Sequence, residues 1–191
     1  YDGNDILRSW ICIPLCMGIY DRKGGTVAAL LSPRLMTENG LLTQAGTNNF
    51  WDRSTLYALR GIFAAGEADK AYEFLKHYSA MRLLGDHVPY AIEAFPEGNQ
   101  RHLSAESALY ARVLTEGVFG IRPTGLNSFS VSPSMPKAWN EMALRKVRLF
   151  GKKFDILVKR EGEKFRVDVV SSGGKTFSQI LAKGAAAEFK M

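Results

Sequence analysis

Much that would mark a cofactor or metal enzyme is missing from this chain of 191 residues. It has two cysteines, Cys12 and Cys16, and three histidines, His77, His87 and His102, none at metal-ligand spacing. A zinc module and a disulfide framework are therefore excluded. Two cysteines four apart in an apolar helical stretch read as buried free thiols. No metal and no cofactor is expected. No apolar run reaches the roughly 18 residues of a membrane helix, so no membrane partner is expected either. There is no dinucleotide fingerprint, P-loop or nucleophile elbow. The nearest Gly-rich segment, Ser171-Ser172-Gly173-Gly174-Lys175, sits between two strand patterns and lacks the strand-to-helix context of a phosphate cradle. An initiator Met, a basic leader and a cleavage site are also absent. Tyr1-Asp2-Gly3-Asn4-Asp5 runs straight into an apolar segment, which reads as the C-terminal part of a longer polypeptide. Any targeting segment would then lie upstream. The compartment is not legible, with a lean towards the periplasm or the extracellular space.

What is present is an ordinary globular composition, 46% hydrophobic and 23% charged, which excludes disorder, collagen and a coiled-coil rod. The net charge of +6 is unevenly spread. Residues 1–136 hold 12 Lys/Arg and 13 Asp/Glu, and residues 137–191 hold 13 and 6. Such asymmetry suits an acidic partner or nucleic acid, but it also describes the solvated face of a sheet, which is the reading preferred here. Nucleic acid is not an expected partner, because no exposed aromatic stacking platform is evident.

The hydrophobic period divides the chain. Residues 5–20 read as a helix with Pro14 forcing a kink or a late start. Gly24-Gly25 reads as a break before a short helix over 26–32. Residues 33–49 read as a long polar loop. Asp52 is placed to cap a helix with the stripe Leu56, Leu59, Ile62 and Phe63, ended by Gly66. A second helix over 67–84 carries Ala71, Phe74, Leu75, Tyr78 and Met81 on one face, making an antiparallel hairpin. After the irregular stretch 85–102, Ser104 opens a helix to about 118. Beyond Gly120 the period falls from 3.6 to 2. Strands are expected near 129–131, 142–150 with a bulge, 154–158, 165–169, 176–181 and 185–190, joined by tight turns. The expected fold class is α+β, with α-helical hairpins over 1–120 and a small antiparallel β module over 121–191.

Chemistry is sought where loops precede helices. Trp51-Asp52-Arg53 sets an indole, a carboxylate and a guanidinium at a helix start. An aromatic face stacks on sugar C–H groups, and the charged pair binds hydroxyls. The same residues would serve equally as core and cap, and that alternative stays open. Glu93, in Tyr90-Ala91-Ile92-Glu93-Ala94-Phe95, is a lone carboxylate among apolar neighbours, costly to bury unless it works as an acid or base. Glu106 falls in the first turn of a helix, where the dipole alone accounts for it.

These residues carry a resemblance. Trp10, Pro14 and Leu15, then Leu30–Pro33, Asn39-Gly40-Leu41 with Thr43, Phe50-Trp51-Asp52-Arg53-Ser54, and Glu93 with Pro96, Gly98 and Leu103-Ser104-Ala105 follow in an order similar to the late hairpins of six-hairpin (α/α)6-barrel glycosidases. The processing α-glucosidase and trehalase group is nearest in pattern. Gly120-Ile121-Arg122-Pro123, Phe129–Pro133 and Met135–Trp139 resemble the β module of maltose-phosphorylase-like and rhamnosidase-like enzymes. Asp52 stands between Trp51 and Arg53 where the pattern has the two adjacent, and the Trp usual after Ser104 is replaced.

The resemblance implies part of an (α/α)6 toroid followed by a small antiparallel β-sandwich. About five of twelve barrel helices are present, so the upstream half of the same barrel is an implied partner. It implies a glycoside hydrolase acting on oligo- or polysaccharide with inversion, which needs one carboxyl as acid and one as base. Glu93 would be the base. The acid would lie upstream, so this chain alone is expected not to turn over substrate. Trp51, Asp52, Arg53, Trp10, Tyr90 and Arg101 would bind the sugar. Two alternatives remain: a non-catalytic carbohydrate-binding or scaffold protein, and a glycoside phosphorylase with a phosphate pocket near Arg53 or Arg101.

Overall fold

A computed structural model describes residues 5–84, 94–95 and 104–191. The fold is α+β: helices come first and small antiparallel sheets follow. Contacts group the chain into two compact units, Tyr1–Gly117 and Val118–Met191.

In the first unit a 3-10 turn, Ser9–Cys12, leads into the one-turn helix α1, Ile13–Cys16. Pro14 stands at the start of α1, where its missing N–H costs nothing, so the late start is the outcome. Helix α2 spans Lys23–Leu30. It contains Gly24 and Gly25, against the break expected there, because a first helical turn tolerates glycine when Val27 and Leu30 anchor the rest. The expected long loop holds a hairpin of β1, Met36–Thr37, and β2, Gly40–Leu41.

Strand β3, Phe50–Trp51, leads into helix α3, Asp52–Ala64, and helix α4 follows over Ala68–Leu83. Gly66 N–H bonds the carbonyl of Phe63 and Glu67 N–H that of Ile62, which closes α3 and turns the chain into α4. Strand β4, Ala94–Phe95, pairs with β3. Helix α5, Ser104–Arg112, opens into a wide π turn over Val113–Val118. Helix α3 is the hub: α1, α4 and α5 all pack on it. Leu56, Leu59, Ile62 and Phe63 are buried, as their period requires. Gly61 lets α1 approach closely, since an added Cβ would stand 3.0 Å from Leu15 Cβ and 3.2 Å from the Cys12 carbonyl. Cys12 and Cys16 are both free and buried there. A hydrogen bond with Cys16, and then burial, hold the Cys12 thiol protonated, well above its ordinary range. Among the described residues the helices gather about α3 and close no ring.

The second unit has two sheets. One joins β5, Arg122–Pro123, β6, Ser128–Val131, and β11, Ala187–Lys190, in the order β11-β6-β5. The other is a meander of β7, Glu141–Leu149, β8, Lys152–Glu161, β9, Lys164–Ser171, and β10, Thr176–Ala182. The expected bulge is present between Leu144 and Val147, with Lys146 at φ 59°. Phe154, Ile156, Val158, Phe165, Val167 and Val169 alternate with exposed or half-buried residues, giving one apolar face. Phe129 of β6 stacks on Phe154 of β8 at 5.2 Å between ring centres and lies 5.7 Å from Phe189, so both sheets contribute to one aromatic core.

Candidate functional site

The start of α3 gathers the residues that the sequence singled out. Trp51 is extended and immediately precedes the helix; Ser54 Oγ donates to its carbonyl at 2.9 Å. Its indole remains 41% exposed, so it is not a core residue. Asp52 is not the cap. It is the first helical residue, and the N-cap position is taken by Trp51. It is 1% exposed and faces Arg82 of α4, whose Nε donates to both carboxylate oxygens at 3.1 and 3.2 Å. Arg82 is itself fully buried, and its Nη2 donates to the Asn39 carbonyl at 2.6 Å. The Asn39-Gly40 turn is thereby fixed to α4. Leu41 N–H donates to Thr55 Oγ1 at 3.2 Å and fixes the same hairpin to α3.

Arg53 points elsewhere. Its Nε donates to Oε1 of Glu106 at 2.8 Å, with the arginine side chain about one-third exposed and the glutamate wholly buried. Glu106 thus does more than answer a helix dipole: it ties α5 to the start of α3. Among the described residues its Oε2 has no hydrogen-bond partner. A planar guanidinium bonded to a buried carboxylate has its orientation fixed. One helical turn further, Trp10 packs on Tyr57 at 6.0 Å and Arg60 lies over the same ring at 5.1 Å. Arg60 Nη1 donates to Glu116 Oε2 at 2.7 Å, and Arg112 pairs with Glu116 through its Nε and Nη2.

Of the expected site residues, the structure places Trp51 immediately before α3 and Arg53 in its first turn, and takes Asp52 into the interior. Trp10 rests, half-buried, on Tyr57. Tyr90, Glu93 and Arg101 lie outside the described residues. A hollow of about 520 Å³ lies on the loop that precedes β3, lined by Pro33, Arg34, Leu42 and Ala45 to Asn48. Leu42 bridges Phe50, so the hollow adjoins the strand that presents Trp51.

Arg82 was missed by sequence reasoning. Its position was the available clue: 71, 75, 78 and 82 continue one buried stripe, so a cation at 82 had to find a buried carboxylate. Met81, expected on that face, is half-buried beside it. No group of three or more His, Cys, Asp or Glu able to hold a metal occurs among the described residues. No helix there is long and apolar enough to cross a membrane. No protein-family model and no curated protein matches the chain.

Proposed function

We propose that this chain is the C-terminal portion of a glycoside hydrolase. In that reading the helical unit is part of an (α/α)6 toroid and the second unit a small β-sandwich. The observation that carries it is the exposed Trp51 indole two residues before an Arg53 guanidinium pinned to buried Glu106. The exposed ring suits stacking on the apolar face of a pyranose, and the partly exposed Arg53, oriented by Glu106, suits its hydroxylated rim. The order of motifs along the chain supports the same reading. Glu93 would activate water as the base, and an acid upstream would protonate the leaving oxygen.

The test uses the polypeptide that carries the whole barrel. Glu93→Gln is expected to abolish hydrolysis, and the product of the unaltered enzyme is expected to form with inverted anomeric configuration by NMR. Near-normal turnover by Glu93→Gln would sink the assignment. Trp51→Ala is expected to raise KM about fivefold, from loss of roughly 1 kcal/mol of stacking.

A second reading has its own support. The two described carboxylates at the site, Asp52 and Glu106, are both engaged by arginines. A site whose acids are engaged binds sugar without cleaving it. Glycan binding at Trp51 with no hydrolysis by the complete polypeptide would favour a non-catalytic carbohydrate-binding protein.

A further inference from the structure

The basic charge of the second unit is not spread evenly over its meander. Away from the β7–β8 and β9–β10 turns, Glu141, Asp155, Glu161 and Asp168 each have a cation within 4 Å. Lys159 stands 3.9 Å from Glu141, and Arg145 is 3.3 Å from Asp155. Arg166 reaches Glu161 at 2.9 Å and Asp168 at 3.6 Å. That stretch is the solvated face the sequence suggested, and it is close to neutral.

The end that carries the β7–β8 and β9–β10 turns is different. Arg148 and Lys153 are directly opposite each other in the ladder, a like-charge pair that costs stability. Lys146, Lys152 and Lys175 lie at the same end, all exposed. The nearest acid, Asp155, is already engaged by Arg145 and by the Lys146 N–H at 2.7 Å. Among the described residues no ion pair engages Arg148, Lys152, Lys153 or Lys175. The backbone is strained there too: among the described residues, Lys146 and Phe150 are the two non-glycine residues with positive φ, 59° and 53°.

The second turn is built against the first. Ser172 N–H donates to the Lys153 carbonyl at 3.0 Å, and Ser171 Oγ accepts from the Lys175 N–H at 3.1 Å. Lys175 Nζ lies 4.7 Å from the centre of the Phe177 ring, which holds the amine over the sheet. From β7 to β10 the basic end is about 14 Å wide, three interstrand spacings.

We propose that this end of the meander is a binding surface for an acidic polysaccharide. The cations would meet carboxylate or sulfate groups, and the Ser171-Ser172 turn would meet sugar hydroxyls. No large exposed aromatic side chain lies at this end among the described residues, so a nucleic acid strand has no platform to stack on. The surface is independent of the Trp51 site and stands whether or not the polypeptide hydrolyses glycans.

The test measures binding of the 191-residue chain to polygalacturonate and to chondroitin sulfate. Dextran serves as the neutral control and a mixed-sequence DNA duplex as the competing polyanion. The two acidic glycans distinguish carboxylate from sulfate as the recognised group. Binding to at least one of them, weakening as salt rises, is expected, with none to dextran. The triple variant Arg148→Ser, Lys153→Ser, Lys175→Ser should bind about tenfold more weakly. Lys159→Ser, in the neutral stretch, should change binding less than about twofold. The charge-keeping variant Arg148→Lys, Lys153→Arg, Lys175→Arg should retain it. Should circular dichroism show that the triple variant does not fold, the single turn variant Lys175→Glu carries the test and is expected to lose about threefold. Absence of binding to both acidic glycans at about 50 mM salt overturns the proposal. Binding that ignores these substitutions, or tighter binding to the DNA duplex than to either glycan, also overturns it.

Discussion

Asp52 and Arg82 form the most consequential pair at the scale of single residues. Both are buried, so each depends on the other for the polar contacts that water would supply. Asp52→Ala should cost about 3–5 kcal/mol in urea unfolding, because it leaves a guanidinium in the interior. The double variant Asp52→Leu, Arg82→Met should recover most of that loss, since no charge is then stranded. Arg53 and Glu106 make an asymmetric case. Glu106 is wholly buried and Arg53 is not, so Arg53→Ala strands a carboxylate and should cost about 3 kcal/mol, against about 1 kcal/mol for Glu106→Gln. Tyr78, beside the first pair, has a buried hydroxyl without a hydrogen-bond partner among the described residues. Burial, and then the Asp52 charge, push its pKa far above the ordinary value. The folded state therefore keeps a proton that the unfolded chain releases above pH ~10, and stability should fall by about 1.4 kcal/mol per pH unit from there upward. Cys12 acts in the same direction from about pH 8.5, where a free thiol begins to ionise. Tyr78→Phe should leave neutral-pH stability unchanged or slightly raised and remove only the part of the alkaline loss that begins near pH 10. A full alkaline slope in Tyr78→Phe would mean that another group carries it.

Elements were legible where period and punctuation agreed. The α3 stripe, the α3–α4 hairpin closed at Gly66, the β7 bulge and the turns of the meander all followed from spacing. Pairs between distant segments left no comparable mark. Residues 33–49 read as a long polar loop, yet the Asn39-Gly40 turn within it is held by Arg82 from one helix and Thr55 from another. The end of α5 was also opaque. A wide π turn replaces the last helical turn there, and it brings Gly117 against α3, where an added Cβ would lie 3.3 Å from Phe63 Cβ. Gly120, where the sequence period changes, has its place in the β unit. Its φ is +62° and an added Cβ would fall 2.1 Å from the Ser132 carbonyl oxygen, whose residue returns an N–H to the Gly120 carbonyl at 3.2 Å. Gly120→Ala should therefore cost at least about 3 kcal/mol, with loss of amide protection in β5 and β6 by hydrogen exchange. A near-neutral result would show that this crossing can open without penalty.

Charge is the property that belongs to the whole molecule, and the structure divides it along the two units. Residues 118–191 carry 14 Lys/Arg and 6 Asp/Glu, whereas residues 1–117 carry 11 and 13. The sequence showed the imbalance but not its arrangement, because register decides which cations meet an acid, and register is a product of the turns. Two effects oppose each other in the basic unit. Exposed cross-strand pairs stabilise it by about 0–1 kcal/mol each, and salt weakens them. Self-repulsion of the excess cations destabilises it, and salt weakens that too. Arg148 faces Lys153, the nearest acid, Asp155, is engaged by Arg145, and the pairs elsewhere in the sheet are solvent-exposed, so repulsion outweighs attraction. Raising ionic strength from about 0.02 to about 0.3 M shortens the screening length several-fold and should increase hydrogen-exchange protection across β7–β10. The buried ion pairs of the helical unit lie out of reach of salt, so protection in α3 and α4 should stay constant. Loss of protection in the sheet on adding salt would mean that its cross-strand pairs matter more than its net charge. The cluster at the turns would then be a stabilised feature, with no strain left to be relieved by an anionic ligand.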